Sequence, residues 1–234
     1  MILAAGRGAR MRPLTDHTPK PLLPVQGRPL MEWPMEALHG AGCTRLVINT
    51  AWLGEQIAAR FVNWPAEHPG TEIAWSNEEQ DFGYALETAG GIARALPLLG
   101  DVFWVLAGDV FVPDFTFSAD RVTHFAAGTA LAHLWLVPNP PHNPQGDFGL
   151  SPDGRALNTV EGVRYTYSTI GLYRRALFEP PWCDILPGNP QGTAAALGPL
   201  LRRAMDAGRV TAQVYTGPWT DVGTPERLAE LNRV

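Results

Sequence analysis

Leu3-Ala4-Ala5-Gly6-Arg7-Gly8-Ala9-Arg10-Met11-Arg12-Pro13-Leu14 opens the chain and leads on to Pro19-Lys20-Pro21. Ile2 to Ala5 read as a short buried strand, and Gly6 and Gly8 after it let backbone N–H groups approach an anion closely. A G-x-G pair alone is weak. The dinucleotide fingerprint needs a third glycine where Met11 stands and a helix directly after the loop. The Walker A pattern needs Gly-Lys-Ser/Thr, which does not follow here. Pro13 and Pro19 oppose a helix and predict an extended segment. The result is a long cationic loop suited to a triphosphate, ending on a lysine held between prolines.

Working outward, residues 1–28 hold Arg7, Arg10, Arg12, Lys20 and Arg28 against one acid, Asp16, in a chain of net charge −5. A cationic loop on an anionic body suits a small polyanion, and the overall charge argues against nucleic acid as a partner. Lys20 is the only lysine among 18 basic residues. An ammonium is a compact point charge that reaches a single oxygen where a guanidinium fork is too bulky.

With 234 residues and 45% apolar content, the chain can bury a core as one domain or a domain with a lobe. No run approaches the roughly 18 apolar residues that span a bilayer, and the opening residues lack the pattern of a secretory signal. The strand before Gly6 is short for a central one, which leaves open whether native residues precede Met1. Cys43 and Cys183 read as reduced thiols of a cytoplasmic protein, and the six scattered histidines give no zinc spacing.

Strand-length apolar runs alternate with amphipathic stretches, which predicts an α/β fold with a mixed, mostly parallel sheet flanked by helices and a small added lobe. Helices are expected over 29–41, 53–61, 88–96, 118–127, 195–207 and 225–232. Strands are expected over 45–49, 72–76, 102–107, 130–137, 148–150, 163–167, 169–173 and 210–215. We expect a nucleotide-binding part over about residues 1–136 and a part completing the sugar and metal sites over about 137–234, with no internal repeat.

Val102 to Ala107 is a continuous apolar run ending in Gly108-Asp109, and Asp221 stands in Trp219-Thr220-Asp221-Val222-Gly223-Thr224. Ligands of open parallel sheets bind beyond the carboxyl ends of strands. Magnesium takes one or two carboxylates together with substrate phosphates and water, so this aspartate pair is a candidate magnesium site. For either aspartate alone, capping a turn is the simpler role, and Asp221 could cap the last helix. Ser76-Asn77-Glu78-Glu79 and Leu86-Glu87-Thr88-Ala89-Gly90-Gly91 could bring a carboxylate and open backbone to a base, or could form a plain helix entry. The tryptophans read as packing, with Trp219, next to Asp221, the exception.

In this order the segments resemble the sugar-1-phosphate nucleotidyltransferase family: the L-A-A-G-x-G-x-R-[LM]-x-P-L-T head, P-K-P, G-D at a strand end and a late W-x-D-x-G-T, spread over almost the whole chain. The resemblance implies a nucleotide-diphospho-sugar transferase fold and transfer of a nucleotidyl group from a nucleoside triphosphate to a sugar 1-phosphate. It implies that Ala5, Gly6, Gly8, Ala9, Arg10 and Ala107 border the nucleotide, that Lys20 and Arg10 act at the reacting phosphate beside Asp109, and that Asp109 and Asp221 hold magnesium. Glu78 and Gly90 would face the base, and Asp147, Gly149, Glu161, Thr169 and Gly171 would border the sugar. Trp52 to Ile57, Leu86 to Gly91, Gly146-Asp147-Phe148 and Trp219 to Leu228 are most similar to the members that use UTP and N-acetylmuramate 1-phosphate in cell-wall recycling. Members using mannose 1-phosphate with GTP, or glucose 1-phosphate with a thymidylyl or uridylyl donor, share most of these features. Many relatives carry E-K-P, whereas Glu161 is followed here by Gly162 and Val163, so either some other cation meets the sugar phosphate or Lys20 and the metal carry that load. A silent sugar-nucleotide-binding subunit on the same scaffold is the rival of another class, although Lys20 and both aspartates are kept. A monomer or small homo-oligomer is expected.

Overall fold

A computed structural model describes residues 1–159 and 161–233 of the chain. It divides into two units, the first made of Met1–Glu87, Ala107–Ala119 and Pro218–Val234, the second of Thr88–Leu106 and Asp120–Gly217.

In the first unit the strand Arg45–Thr50 lies between Ile2–Ala4 and Glu72–Asn77, parallel to both, with Ile2 opposite Ile48 and Ile48 opposite Trp75. Leu46 to Thr50 are all buried, as expected of an apolar run covered on both faces. The helices Glu32–Gly40 and Gly54–Arg60 follow the first and second of these strands. All three strands point the same way, so Ala4, Thr50 and Asn77 end at one edge.

The first helix begins three residues later than its prolines suggested. Pro24–Val25 and Arg28–Pro29 pair instead as a minimal hairpin across Gln26 and Gly27, both at positive φ. A proline without an N–H is tolerated on such an edge, and Pro34 then falls in the first turn of the helix. The phosphate loop is also less extended than its prolines predicted. It folds as three short 3-10 turns, Ala9–Met11, Leu14–Asp16 and Lys20–Leu22. The fixed φ of proline fits the start of such a turn, and Pro21 occupies that place after Lys20.

Beneath the loop lies a cluster of Met11, Leu23, Val25, Leu30, Phe111, Val222 and Leu228, with Trp33 and Leu231 against it. Its members come from all three chain segments of the unit. Burying such side chains contributes roughly 1.5–3 kcal/mol each, so the loop rests on a core that its own Met11 helps to build.

In the second unit Arg164–Arg174 is the organising strand. It pairs antiparallel with Val102–Ala107, Ala132–Val137 and Phe148–Leu150, while Val210–Val214 runs parallel to Ala132–Val137. The two strands expected over 163–173 are therefore one, broken by a register shift between Tyr167 and Gly171. Phe148–Leu150 and Ala156–Leu157 form the small antiparallel lobe. The fold is α/β with a mixed sheet flanked by helices, as expected. Among the described residues, no helix is long and apolar enough to cross a membrane.

His133 on the Ala132–Val137 strand carries a stability consequence. Burial, and then the nearby Arg121 charge, hold its pKa down to about 4 from the ordinary 6.5, while the ring meets the Thr211 hydroxyl at 2.8 Å. Between these two values the unfolded chain takes up the proton and the folded chain does not. Stability therefore rises with pH across that window and is lost as pH falls from 6.5 towards 4. Urea unfolding at pH 4.5 and 7.5 should show a smaller difference for His133→Gln than for the parent chain.

Candidate active site

Each functional side chain of the first unit is placed by a backbone contact. At the end of the first strand the chain turns through Gly8, at φ +65. A side chain here would meet Thr15 Cγ2 at 3.1 Å and Lys20 Cβ at 3.3 Å, so the loop packs over this residue only because it is glycine. The Gly8 carbonyl accepts from the Met11 amide at 2.9 Å and from the Thr15 hydroxyl at 2.8 Å. Gly108 donates to the Leu3 carbonyl at 2.8 Å, and a Cβ there would come within 3.2 Å of that oxygen. Its close approach sets the following residue, Asp109, beside the start of the loop.

Asp221 reaches the same point from the far end of the chain. Thr220–Asp221 pairs antiparallel with Val110–Phe111, and the Val222 amide donates to the Asp109 carbonyl at 3.1 Å. Asp221 thus sits on a two-residue ribbon rather than at the end of an apolar strand. It does not cap the last helix either. Thr224 does, its hydroxyl accepting from the Arg227 amide. The Arg227 guanidinium donates to the Asp221 carbonyl at 2.8 Å and to Oδ2 at 3.0 Å.

These placements bring both carboxylates to Lys20. Its Nζ donates to Asp109 Oδ2 at 2.6 Å and lies 3.9 Å from Asp221 Oδ1. Only 8% of the Lys20 side chain is exposed, against 35% of Asp109 and 24% of Asp221. A pocket of about 220 Å³ opens here, bordered by Ala4, Gly6, Gly8, Ala9, Arg10, Lys20, Asp109 and Gly223. Ala5, between Ala4 and Gly6 in the chain, is buried, and Ala107 is half-buried two residues before Asp109.

The loop's charge is distributed unevenly. Asp16 Oδ1 lies 3.3 Å from Arg7 and 3.1 Å from Arg12, and Arg28 pairs with Glu32 and Glu36. Of the five basic residues near the start, Arg10 and Lys20 border the pocket. Arg7 does different work. Its guanidinium stacks 3.6 Å over the Trp52 ring and donates to the Thr15 carbonyl at 2.8 Å, while Trp52 Nε1 donates to the same carbonyl at 3.0 Å. Gln56 adds a hydrogen bond to the His17 carbonyl at 3.1 Å. From sequence Trp52 reads as packing, because the contacts that Trp52 and Gln56 make with the loop span 37 to 45 residues and share no periodicity. Arg227 escapes a sequence reading too, although it is three residues past a helix cap and six past Asp221.

Glu78 is fully buried, with Oε1 accepting from Asn49 at 2.7 Å and Oε2 from the Leu86 amide at 2.7 Å. The remaining candidates belong to the second unit. The Gly90 amide donates to the Ala195 carbonyl at 3.1 Å, and the Gly90 carbonyl accepts from buried Asn189 at 3.1 Å. Asp147 Oδ2 accepts from the Tyr167 amide at 2.8 Å, and Gly149 is buried on the lobe strand. Glu161 is exposed. Thr169 is at φ +69, a rare conformation for a β-branched residue, and occurs where the long strand slips register. Gly171 leaves room for the Tyr173 ring, whose Cε2 would lie 2.7 Å from an added Cβ. Among the described residues, no group of three or more His, Cys, Asp or Glu side chains could hold a metal.

Against known proteins, the nucleotidyl transferase family matches residues 1–234. The N-acetylmuramate α-1-phosphate uridylyltransferase of Neisseria meningitidis is 49% identical over 98% of this chain and 95% of its own. The protein of the same description from Caulobacter vibrioides is 30% identical over 98% of this chain and 96% of its own. A Bacillus anthracis structure assigned as a glucose-1-phosphate thymidylyltransferase superposes with a TM-score of 0.77 at 22% identity, covering 99% of this chain and 92% of that one. This last likeness speaks for the fold.

The Arg7–Trp52 clasp gives a direct expectation. Arg7→Lys keeps the charge but loses the planar stack and fork, so it should weaken nucleoside triphosphate binding by about tenfold. Titration calorimetry with a non-hydrolysable triphosphate measures this, and Trp52→Leu should match it.

Proposed function

Since the chain belongs to the nucleotidyl transferase family, we propose that it transfers a uridylyl group from UTP to N-acetylmuramate α-1-phosphate, giving UDP-N-acetylmuramate and pyrophosphate in the cytoplasm. The convergence of Asp109 and Asp221 on the buried Lys20 ammonium carries the chemistry. The near full-length identity to the Neisseria protein supports the substrate pair.

In this reading an oxygen of the sugar phosphate attacks the α-phosphorus of UTP in line with the departing pyrophosphate. A phosphate monoester is already a competent nucleophile, so no general base is needed. The protein's task is to align two anions and to offset charge at phosphorus. Gly6 and Gly8 expose backbone to the phosphates, Arg10 faces them at the pocket rim, and Lys20 presents its charge to the reacting phosphate. The clasp of Arg7 and Trp52 keeps these groups in register.

Asp109 and Asp221 suit magnesium, because two carboxylates already gather round one cationic point and a hard ion completes its shell with phosphate oxygens and water. Bound there, magnesium would supply positive charge to the phosphate oxygens of both substrates. Arg227 fixes the Asp221 carboxylate from its other oxygen. The sugar phosphate would meet Arg10 or Lys20 in place of the missing E-K-P lysine.

Pyrophosphate release from four triphosphates against several sugar 1-phosphates tests the proposal. UTP with N-acetylmuramate 1-phosphate should be the best pair, and a different best pair would replace the substrate assignment while leaving the reaction type. No release from any pair would favour a silent binding subunit. Lys20→Ala should lower turnover by on the order of a hundredfold, as for a lost electrostatic donor. A near-parental rate in that variant would remove Lys20 from the mechanism.

A further inference from the structure

A chain of hydrogen bonds crosses the first unit just behind the pocket wall. The Ala4 amide donates to Asn49 Oδ1 at 3.0 Å, Asn49 Nδ2 donates to Glu78 Oε1 at 2.7 Å, and the Leu86 amide donates to Glu78 Oε2 at 2.7 Å. Leu86 and Glu78 are fully buried and Asn49 nearly so. The chain joins the ends of all three parallel strands, since Ala4 ends the first, Asn49 is next to last in the second, and Glu78 follows the third. Ala4 borders the pocket. Leu86 precedes Glu87, a non-glycine residue at φ +56 where the chain leaves this unit.

Donor and acceptor directions in this chain are forced. Both ends are backbone N–H groups and can only donate, so the two side chains between them must together supply one amide donor and otherwise acceptors. One amide and one carboxylate satisfy this, in either order. Two amides leave a donor facing a donor whichever way they are flipped, and two carboxylates set like charges together in a buried place. The amide orientation of Asn49 thus follows from its neighbours.

We propose that Asn49 and Glu78 form a polarity-locked relay that sets the Ala4 wall of the triphosphate pocket against the Leu86–Glu87 turn, and that Glu78 acts as a positioning residue through this relay rather than by reading the base. The kinetic consequence rests on the nucleotidyl-transfer reading above; the structural consequence does not. A relay that positions the wall affects every triphosphate alike. A carboxylate that reads a base edge changes the preference among bases.

The test compares Glu78→Gln, Asn49→Asp and the double variant N49D/E78Q. In the double variant the carboxylate introduced at position 49 accepts from the Ala4 amide and from the side-chain amide introduced at position 78. The oxygen of that amide accepts from Leu86, so these three bonds are remade with the polarity between the two side chains reversed. Amide hydrogen exchange at Ala4 and Leu86, measured without ligand, should quicken in Glu78→Gln and return to the parental rate in the double variant. KM for UTP should rise about tenfold in Glu78→Gln, as for one unsatisfied buried donor, with kcat changed less and with the order of UTP, dTTP, CTP and GTP preserved. The double variant should recover most of that loss. Three results would each overturn the proposal: unchanged exchange in Glu78→Gln, a reordered triphosphate preference, or a double variant no better than the worse single one. If the parental chain transfers no nucleotide to any sugar phosphate, the functional reading fails, and exchange at Ala4 and Leu86 alone decides the relay.

Discussion

A lysine ammonium almost closed off from water, 2.6 Å from one carboxylate and 3.9 Å from another, is the contact on which the first unit's architecture turns. Burying one unpaired charge is prohibitive, and burying a pair is tolerable only with good geometry. Lys20 must therefore be delivered accurately. The Lys20–Leu22 turn fixes its stem, Gly8 makes room for it, and the ribbon between Val110–Phe111 and Thr220–Asp221 aligns the carboxylates it faces. Withdrawal of the ammonium would leave two acids facing the place it fills, beside the pocket that Arg10 and Asp109 border.

The loop's positive charge has two separate uses. Arg7 and Arg12 meet Asp16, and Arg7 spends its planar face on Trp52. Those cations give the loop shape. Arg10 and Lys20 border the pocket and give it potential. A count of charges along residues 1–28 merges the two uses, because an ion pair closed over nine residues leaves no trace in composition. The arginine and lysine choices follow the division: a flat, stacking group where the loop is clasped, a compact one where space is shortest.

How far the site could be read before folding depended on the range of the contacts involved. Gly8, Lys20, Asp109 and Asp221 stand in stretches whose local spacing carries meaning, and Lys20 packs against Gly8 and pairs with both aspartates. The α/β class was legible because apolar runs such as Val102–Ala107 declare buried strands. Proline misleads where it reads as a helix opener, at Pro29, and where it reads as a mark of extended chain, at Pro13 and Pro19. Pro29 and Pro21 instead shape an edge hairpin and a 3-10 turn, both of which use its fixed φ. The Arg164–Arg174 strand misleads as well where it slips register at Thr169, since a bulge looks like a gap between two strands. Most hidden were contacts with no period at all: Trp52 with Arg7, Arg227 with Asp221, and Asn49 with Glu78. Nothing in the identity of Asn49 announces that two backbone amides and a carboxylate will demand an amide there.

The first unit is assembled from three separated segments of chain, and the last of them contains Asp221, Val222 and Leu228. During synthesis the loop, Lys20 and the three parallel strands emerge early, yet the second carboxylate and part of the cluster beneath Met11 are still unmade. Chains usually fold from the N-terminus as they appear, but this one cannot complete the unit it begins with until the segment from Pro218 onward has emerged. A ribosome-stalled chain ending before residue 218 would present the cationic loop over an unfilled apolar hollow, a form suited to capture by a chaperone and unable to hold its charges in place.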